Sequence, residues 1–267
     1  MQHKSLLPTI HLKLTPRSLL PSTNLRRIVL FMKPSTQVIT NQVFGFIQNT
    51  KAMPAAGINK KTQSMRLLSI SAGKVLPLFG NHHPNYKSVA SAIHKKSISN
   101  LENPISVEIN HLGVKGDEQA DLSVHGGIEK AIYVYPAEHY AFWNELLNRE
   151  TKKSVSLEYG AMGENFTIEG LLETEVFVGD KLIIGELEFA VVKLREPCFK
   201  FNAAVGYKGA SKAMLQSGYS GWYLRVLKTG MLTAGASITL IPGSRDTSIA
   251  QQNENLLGNR NQKDLWE

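Results

Sequence analysis

The chain has 267 residues, 42% of them hydrophobic and 19% charged, and its formal net charge is +8. No apolar run approaches the roughly 20 residues that a membrane-spanning helix needs, so we predict that the chain is not an integral membrane protein. The positive charge is concentrated in residues 1–64, which contain nine Lys or Arg and no Asp or Glu. Residues 65–267 contain 21 basic and 22 acidic residues, and such a balanced charge predicts no nucleic-acid partner.

The chain contains one cysteine, Cys198. One cysteine excludes an intramolecular disulfide, and it also excludes iron–sulfur clusters and structural zinc sites that need several thiolates. A reducing cytoplasm is therefore the expected compartment.

Residues 1–64 are not predicted to form a folded domain, because they combine scattered prolines with many polar residues and no sustained periodicity. Their basic, acid-free composition is typical of an organellar transit peptide. Alternatively, translation starts at Met65, which directly precedes the first convincing strand. We favour this second interpretation, because no amphipathic arginine-bearing helix stands out, and treat residues 1–64 as a disordered or non-native extension.

The first half of the remaining chain is predicted to contain short strands at residues 66–71, 105–109 and 132–135. Pro136 suits the first turn of a helix. The helix carries an apolar stripe at helical spacing that predicts core packing, and its members are Tyr140, Trp143, Leu146 and Leu147. His139, beside this stripe, is predicted to be a helix-face residue rather than a metal ligand.

The second half is also predicted to be rich in strands. Residues 176–184 form two apolar runs joined by Gly179-Asp180, which predicts a tight hairpin. Further elements are predicted as a strand at 187–194, a helix at 208–217, strands at 222–227 and 238–241, and a loose polar tail at 243–267. Many short strands with few helices predict a mainly β domain of the α+β class, a barrel or sandwich decorated by one or two helices.

Several common chemistries are excluded by motif. The sequence contains no phosphate-binding loop, no dinucleotide-binding glycine fingerprint, no Gly-x-Ser-x-Gly elbow and no His-Glu-x-x-His helix. Three polar clusters remain, at residues 116–127, 163–165 and 195–202. Loops on a rigid β scaffold often carry function, and paired glycines let a backbone approach a ligand. Each cluster alone is equally consistent with ordinary turn chemistry.

Cys198 is the strongest single candidate, because it follows the predicted strand 187–194 directly. Pro197 cannot donate a sheet hydrogen bond, so the chain leaves the sheet there. A thiolate is both the nucleophilic and the metal-binding form of cysteine, and the nearby Arg195 guanidinium favours it by lowering the thiol pKa. The alternative is that Cys198 is simply a small buried apolar residue.

The clusters together resemble the MOSC domain, which is named after the C-terminal part of molybdenum-cofactor sulfurases. The resemblance is closest to the stand-alone bacterial YiiM-like proteins and spans residues 65–242, with a motif core at about 92–241. It is carried, in chain order, by Gly116-Asp-Glu-Gln-Ala-Asp, His125-Gly-Gly, Lys130-Ala, Gly163-Glu-Asn, Gly179-Asp and Arg195-x-Pro-Cys. YiiM-like proteins often continue into a three-helix module, and residues 244–267 are too short for one.

The resemblance implies a closed, β-barrel-like domain that binds the molybdenum cofactor, molybdopterin carrying molybdenum. It implies that Cys198 is the protein ligand to molybdenum and a catalytic residue, with His125 as a second catalytic residue. Arg195 and Lys200 would neutralise the phosphate and dithiolene charge of the cofactor. The other implied cofactor contacts are Asp117, Gly126, Gly127, Lys130, Glu164, Asn165 and Asn202.

The function implied by the resemblance is reduction of small N-hydroxylated compounds, including N-hydroxylated purine bases, as a detoxification. No flavin, nicotinamide or iron–sulfur motif is visible, so a separate protein is expected to donate electrons. An alternative is a sulfur carrier that holds a persulfide on Cys198 for cofactor maturation, and a third is a cofactor-binding protein without turnover. Sulfurases carry pyridoxal phosphate in a separate domain, so none is expected on this chain.

Overall fold

The computed structural model describes residues 64–85, 89–120 and 126–261, and its largest element is a curled sheet of eight strands. The thirteen strands, in chain order, are β1 Arg66–Ala72, β2 Leu76–Pro77, β3 Ala90–Ser91, β4 Lys96–Asn100, β5 Val107–Asn110, β6 Gly113–Val114, β7 Ile132–Pro136, β8 Phe166–Glu169, β9 Lys181–Ile184, β10 Leu187–Leu194, β11 Trp222–Lys228, β12 Gly230–Leu232 and β13 Ile238–Ile241. Apart from Ser64, the predicted extension 1–64 lies outside the described residues.

The large sheet has the order β13-β9-β10-β11-β7-β8-β1-β4, and only the β7–β8 pair is parallel. The β13 end of the sheet comes back to β1, because an isolated bridge joins Arg66 to Ser237 just before β13. The Leu67 N–H donates to the Ala236 oxygen at 3.0 Å, and the Gly235 N–H donates to the Leu67 oxygen at 2.7 Å. The sheet therefore curls into a barrel-like form, which confirms the predicted fold class.

Alternation along the strands produces the core. In β10, residues at every second position from Leu187 to Val191 are buried, because side chains in a strand point to opposite faces in turn. Phe166 and Phe189 meet inside the sheet as an edge-to-face pair with centroids 5.7 Å apart. The remaining strands form two smaller, separate sheets, with the orders β12-β5-β6 and β2-β3.

The described residues form four α-helices, more than the one or two predicted: α1 Tyr140–Thr151, α2 Phe199–Val205, α3 Ala210–Ser217 and α4 Ile249–Asn261. A second core cluster lies between α1, α2, α3 and the sheet and includes Tyr135, Trp143 and Met214. The predicted apolar stripe of α1 is buried. None of the described helices is long and apolar enough to cross a bilayer.

His139 differs from the prediction, because it lies in a short 3-10 turn before α1 and is buried. Its Nε2 is hydrogen-bonded to Glu173 at 2.8 Å. The buried carboxylate draws the imidazole inward, away from the helix surface.

The predicted hairpin at 176–184 is wrong. Residues 176–180, directly before β9, form no strand, and β9 instead pairs with β10 and β13. The Asp180 carboxylate accepts the Phe177 N–H at 3.0 Å and the Gly243 N–H at 2.7 Å. Gly179-Asp180 is therefore a turn that the aspartate side chain holds to the segment after β13, a use of aspartate that the dipeptide alone does not distinguish from a hairpin.

The predicted loose tail is also wrong over α4. The Ser248 hydroxyl accepts the Gln251 N–H at 3.0 Å, and the Gln251 side chain accepts the Ser248 N–H at 2.8 Å. This reciprocal pair is a capping box, which satisfies two of the N–H groups left unpaired at a helix start. Ile249 is fully buried in the main core and anchors the helix.

Because Ile249 is fully buried, Ile249→Ala is expected to lower the free energy of unfolding by about 2–5 kcal/mol through lost burial and a residual cavity. Urea denaturation of the full chain measures this value. Ile241→Ala is the control, since Ile241 is 41% exposed, and its expected change is within about 0.5 kcal/mol. Equal small changes in both variants would show that α4 is not packed.

Candidate functional site

A cavity of about 100 Å³, the thiol cavity, lies where loops from several strands meet. Residues from all three polar clusters of the sequence line it, together with residues 91–93 and Lys95. Of the predicted site residues, those that line it are Asp117, Lys130, Asn165, Arg195, Cys198 and Lys200. The structure thus brings together side chains that lie up to 83 positions apart, from Asp117 to Lys200.

Cys198 is half-buried in the wall of the thiol cavity and is the residue directly before α2. Its carbonyl oxygen accepts the Phe201 N–H at 2.9 Å and the Ser211 hydroxyl at 2.9 Å. These bonds tie the cysteine backbone to both α2 and α3. The sulfur is therefore carried by a backbone that two helices hold in place.

Arg195 is buried, with 5% of its surface exposed. Its guanidinium lies over the rings of Phe201 at 4.7 Å and Tyr133 at 5.6 Å, and one of its nitrogens is 3.2 Å from the Met214 sulfur. Aromatic faces attract a cation, and a guanidinium stacks on them well. Arg195 is thus oriented by rings and a thioether, and its positive charge is directed to the cavity wall.

Tyr223 also lines the thiol cavity, close to the charge of the Arg195 guanidinium. Burial raises the pKa of its phenol, and the positive charge of Arg195 only partly opposes this shift. The phenol therefore keeps its proton at neutral pH and is a hydrogen-bond donor. Tyr223 could not be singled out from the sequence, because it lies inside an ordinary strand pattern.

Asp117, Lys95 and Asn165 form a buried polar network at the cavity wall. Asp117 Oδ1 accepts the Lys95 ammonium at 2.5 Å and the Gly73 N–H at 2.7 Å, and its Oδ2 accepts the Asn165 amide at 2.9 Å. The Lys95 and Asp117 side chains are 8% and 6% exposed. Burial lowers the pKa of Lys95, and Asp117 opposes this shift. The sequence analysis missed Lys95, which belongs to no motif.

Positive charge predominates in the thiol cavity. Three acidic residues line it, and each is bonded to a lysine: Asp117 to Lys95, Glu118 to Lys74 at 3.0 Å, and Glu196 to Lys193 at 2.7 Å. A backbone hydrogen bond from Val75 lowers the pKa of Glu118, with help from Lys74.

Three further cations line the same cavity. They are Arg195, Lys200, which donates to the Ala90 oxygen at 3.1 Å, and Lys130, which lies 5.9 Å from the Tyr223 ring centroid. With the acidic residues already bonded to lysines, these cations favour an anionic ligand.

Four of the predicted cofactor contacts are not among the residues that line the thiol cavity, namely Glu164, Asn202, Gly126 and Gly127. The Glu164 carboxylate accepts the Gly160 N–H at 2.7 Å and the Thr167 hydroxyl at 2.8 Å, and it is bonded to the Tyr140 hydroxyl. Burial raises its pKa. It braces its own loop against α1.

The second is Asn202, whose side-chain oxygen accepts the Ser211 N–H at 2.7 Å. This bond links α2 to the first turn of α3. Asn202 therefore fixes the helix pair that carries Cys198.

The glycine pair Gly126-Gly127 seats a side chain of the protein itself. The Gly127 N–H donates to the Gln119 side-chain oxygen at 2.8 Å, and a Cβ at Gly126 would lie 2.3 Å from that oxygen. Gln119 lines the thiol cavity, so the glycines act through it rather than through a free amide. His125, the other predicted catalytic residue, lies outside the described residues.

The donor groups fit a metal that arrives with most of its own ligands. In the described residues, no group of three or more His, Cys, Asp or Glu side chains is placed to hold a metal ion. The cavity instead offers one thiol beside three cations, which suits an anionic group with a soft metal.

Comparison with known proteins identifies several relatives. The family model of the MOSC domain matches residues 121–239. YflK of Bacillus subtilis is 35% identical over 190 residues, which are 71% of this chain and 79% of YflK. YiiM of Escherichia coli is 33% identical over 143 residues, 54% of this chain and 62% of YiiM. A protein of Gibberella moniliformis named reductase is 37% identical over 131 residues, 48% of this chain and 22% of its own length.

Solved structures show the same fold. The crystal structure of YiiM from Geobacillus stearothermophilus superposes with a TM-score of 0.55 and 30% identity, and the match covers 73% of this chain and 85% of that one. The crystal structure of YiiM from Escherichia coli superposes with a TM-score of 0.52 and 22% identity, over 70% and 75% of the two chains.

The Lys95–Asp117 pair is expected to be costly to break. Lys95→Met leaves Asp117 buried without its cation and should lower the free energy of unfolding by about 3–5 kcal/mol. The double variant Lys95→Met/Asp117→Asn should cost less than the two single variants added together, as measured by urea denaturation. Lys115→Met, which removes an exposed pair with Glu108, is the control, with an expected cost of about 0–1 kcal/mol.

The same lysine gives a pH dependence of defined sign. The unfolded chain keeps the Lys95 proton up to about pH 10.4, whereas the buried ammonium loses it at a lower pH. Between these two pKa values the unfolded state binds more protons, so folded stability rises with pH. The wild-type free energy of unfolding minus that of Lys95→Met should therefore increase on entering this alkaline window. A decrease would contradict the lowered pKa.

Proposed function

This chain belongs to the MOSC-domain family, in its YiiM-like group, and from that premise we propose that it is a molybdenum-cofactor-dependent reductase of N-hydroxylated compounds. The observation that carries the proposal is the thiol of Cys198 on the wall of a cavity where Lys130, Arg195 and Lys200 add positive charge. N-hydroxylated purine bases are among the substrates proposed. The overall change is an N–OH group, two electrons and two protons becoming an N–H group and water.

The family supports a role related to the molybdenum cofactor and an oxidoreductase type of activity. MOSC domains are associated with molybdenum-cofactor proteins, and one relative is named a reductase. That match covers 22% of the relative, so the activity of the whole relative is carried over only as a proposal.

The residues of the chain divide the work of holding the cofactor. Cys198 would provide the protein sulfur to the metal, and the three cations would neutralise the phosphate and dithiolene charge of the pterin. When bound, the cofactor supplies the two-electron chemistry that removes oxygen from the substrate. The electrons would come from a separate donor protein, since the chain carries no other redox motif.

Tyr223 and Arg195 would handle the polar atoms of the substrate. The Tyr223 phenol stays protonated and can donate a hydrogen bond inside the cavity, where the departing oxygen must become water. The positive charge of Arg195 lies close to the same phenol. Its position in the cavity wall would let the protonated Tyr223 phenol hold the substrate oxygen by a hydrogen bond.

The cofactor content of the full chain, produced in a host that makes the cofactor, tests the proposal. Molybdenum should be close to stoichiometric in the wild type and fall at least tenfold in Cys198→Ser, while part of the pterin remains because the cations are intact. Lys200→Gln should lower the content of both. Lys208→Gln is the control, since Lys208 is exposed and does not line the cavity.

Absence of molybdenum from the wild type would contradict the reductase proposal. If the metal-free protein then carried a persulfide on Cys198, the sulfur-carrier alternative would replace it. If molybdenum is bound but no N-hydroxylated base is reduced in the presence of a chemical reductant, the proposed cofactor site would stand and the proposed reductase activity would be contradicted.

A further inference from the structure

A buried histidine–glutamate pair has no part in the chemistry described so far. The side chains of His139 and Glu173 are 5% and 6% exposed, and a hydrogen bond of 2.8 Å joins the imidazole Nε2 to one Glu173 oxygen. The Tyr219 ring stacks on the imidazole, with the ring centroids 3.8 Å apart. Neither His139 nor Glu173 is among the residues that line the thiol cavity. Burying two polar side chains is costly unless both are well bonded, so the bonds of this pair define its role.

The second Glu173 oxygen connects the pair to a distant part of the backbone. It accepts the Gly221 N–H at 2.8 Å, just before β11. Gly221 has a φ of +61°, and a Cβ there would lie 2.2 Å from the Val134 oxygen. Glycine is therefore required at this left-handed and crowded position. Glu173 thus holds a backbone conformation that no other residue type could adopt there.

Two tyrosine hydroxyls hold the same stretch of backbone, the segment 219–221. The Tyr135 hydroxyl donates to the Tyr219 oxygen at 3.1 Å, and the Tyr133 hydroxyl donates to the Ser220 oxygen at 2.9 Å. Side chains from other parts of the chain therefore bond to a backbone group of every residue in the segment. So many side-chain bonds to three residues fix the position of the segment closely.

The segment 219–221 is connected to Arg195 in two ways. The Gly221 oxygen accepts the Arg195 N–H at 3.2 Å, which holds the arginine backbone. The Tyr133 ring, whose hydroxyl bonds to Ser220, lies 5.6 Å from the Arg195 guanidinium. Tyr133 and Arg195 both line the thiol cavity. The arginine backbone and one of the rings that orient its guanidinium therefore depend on the same three residues.

We propose that Glu173 is a positioning residue for the thiol cavity, which fixes the segment 219–221 and through it the direction of Arg195. His139 holds the Glu173 carboxylate in place by its hydrogen bond. The inference rests on the proposed function, in which Arg195 binds the anionic part of the cofactor. Glu173 acts by spanning its two partners and not by its charge, because a negative charge would weaken the binding of an anion.

Two substitutions separate the length of the side chain from its charge. Glu173→Gln keeps the length, so its oxygen can accept the Gly221 N–H and its amide can donate to a neutral His139 imidazole. Glu173→Asp keeps the charge and is one methylene shorter, so it cannot span both partners. Glu175→Asp is the matched control, since Glu175 lies in the same turn, is exposed and accepts the Leu172 N–H.

Titration of the cofactor-free full chain with inorganic phosphate, followed by NMR of the Arg195 side-chain N–H, measures the effect. Glu173→Asp is expected to shift this resonance and to weaken phosphate binding about tenfold, because a displaced guanidinium loses a charge-assisted hydrogen bond. Glu173→Gln should keep the wild-type resonance and bind phosphate at least as tightly, and Glu175→Asp should behave as the wild type. If Glu173→Asp does not fold, Tyr135→Phe removes one hydroxyl from the same segment and should change both measurements in the same direction.

An unshifted Arg195 resonance with unchanged phosphate affinity in Glu173→Asp would overturn the positioning role. Weaker binding by Glu173→Gln would assign the effect to charge and would overturn it too. If the wild type binds no phosphate, the proposed function is contradicted, and the Arg195 resonance in Glu173→Asp still decides the positioning role.

Discussion

The buried ion pair between Lys95 and Asp117 is the constraint on which the thiol cavity depends. Asp117 bonds at once to the backbone beyond β1, to the lysine before β4 and to the Asn165 amide before β8. Asn165 in turn accepts the Tyr133 N–H at 3.1 Å and donates to the Ser71 oxygen at 3.2 Å. One carboxylate therefore holds three chain segments at the open end of the sheet, where the cavity forms.

The pair also sets the electrostatics of the cavity. A buried ion pair contributes little net stability compared with apolar packing, so its presence is better explained by the shape and charge it confers. By bonding Asp117 internally, Lys95 removes a negative charge from the wall, and Arg195 and its neighbours then dominate the field that a ligand meets. The single thiol stands in that field, beside a phenol that keeps its proton.

Much of the barrel could be predicted from alternation and apolar runs, because strands at 187–194 and 238–241 obey simple burial rules. The helix α4 could have been predicted from Ser248-x-x-Gln251, which matches a capping box. The polar composition of this segment favoured a loose tail instead. The Gly179-Asp180 turn was mistaken for a hairpin, since that dipeptide suits both. In each case a polar side chain bonding to a backbone group decided the structure, three positions away at the start of α4 and 63 positions away for Asp180 and Gly243.

A site residue could be predicted where it belongs to a motif and its side chain also lines the cavity. Cys198 and Arg195 line the thiol cavity as the resemblance implies. Glu164 and Asn202 belong to the same motifs, yet their side chains brace loops and helices, and no spacing rule reveals which way a loop side chain turns. Lys95 belongs to no motif. Its bond to Asp117 arises only when β1 and β4 pair, so the sequence does not reveal this role.

The most direct test of the central claim is molybdenum K-edge X-ray absorption of the full chain purified with its cofactor. We expect one more sulfur ligand to molybdenum in the wild type than in Cys198→Ser reconstituted with enough of the same cofactor to offset its weaker retention of the metal. An identical sulfur count in both proteins would contradict the assignment of Cys198 as the protein ligand.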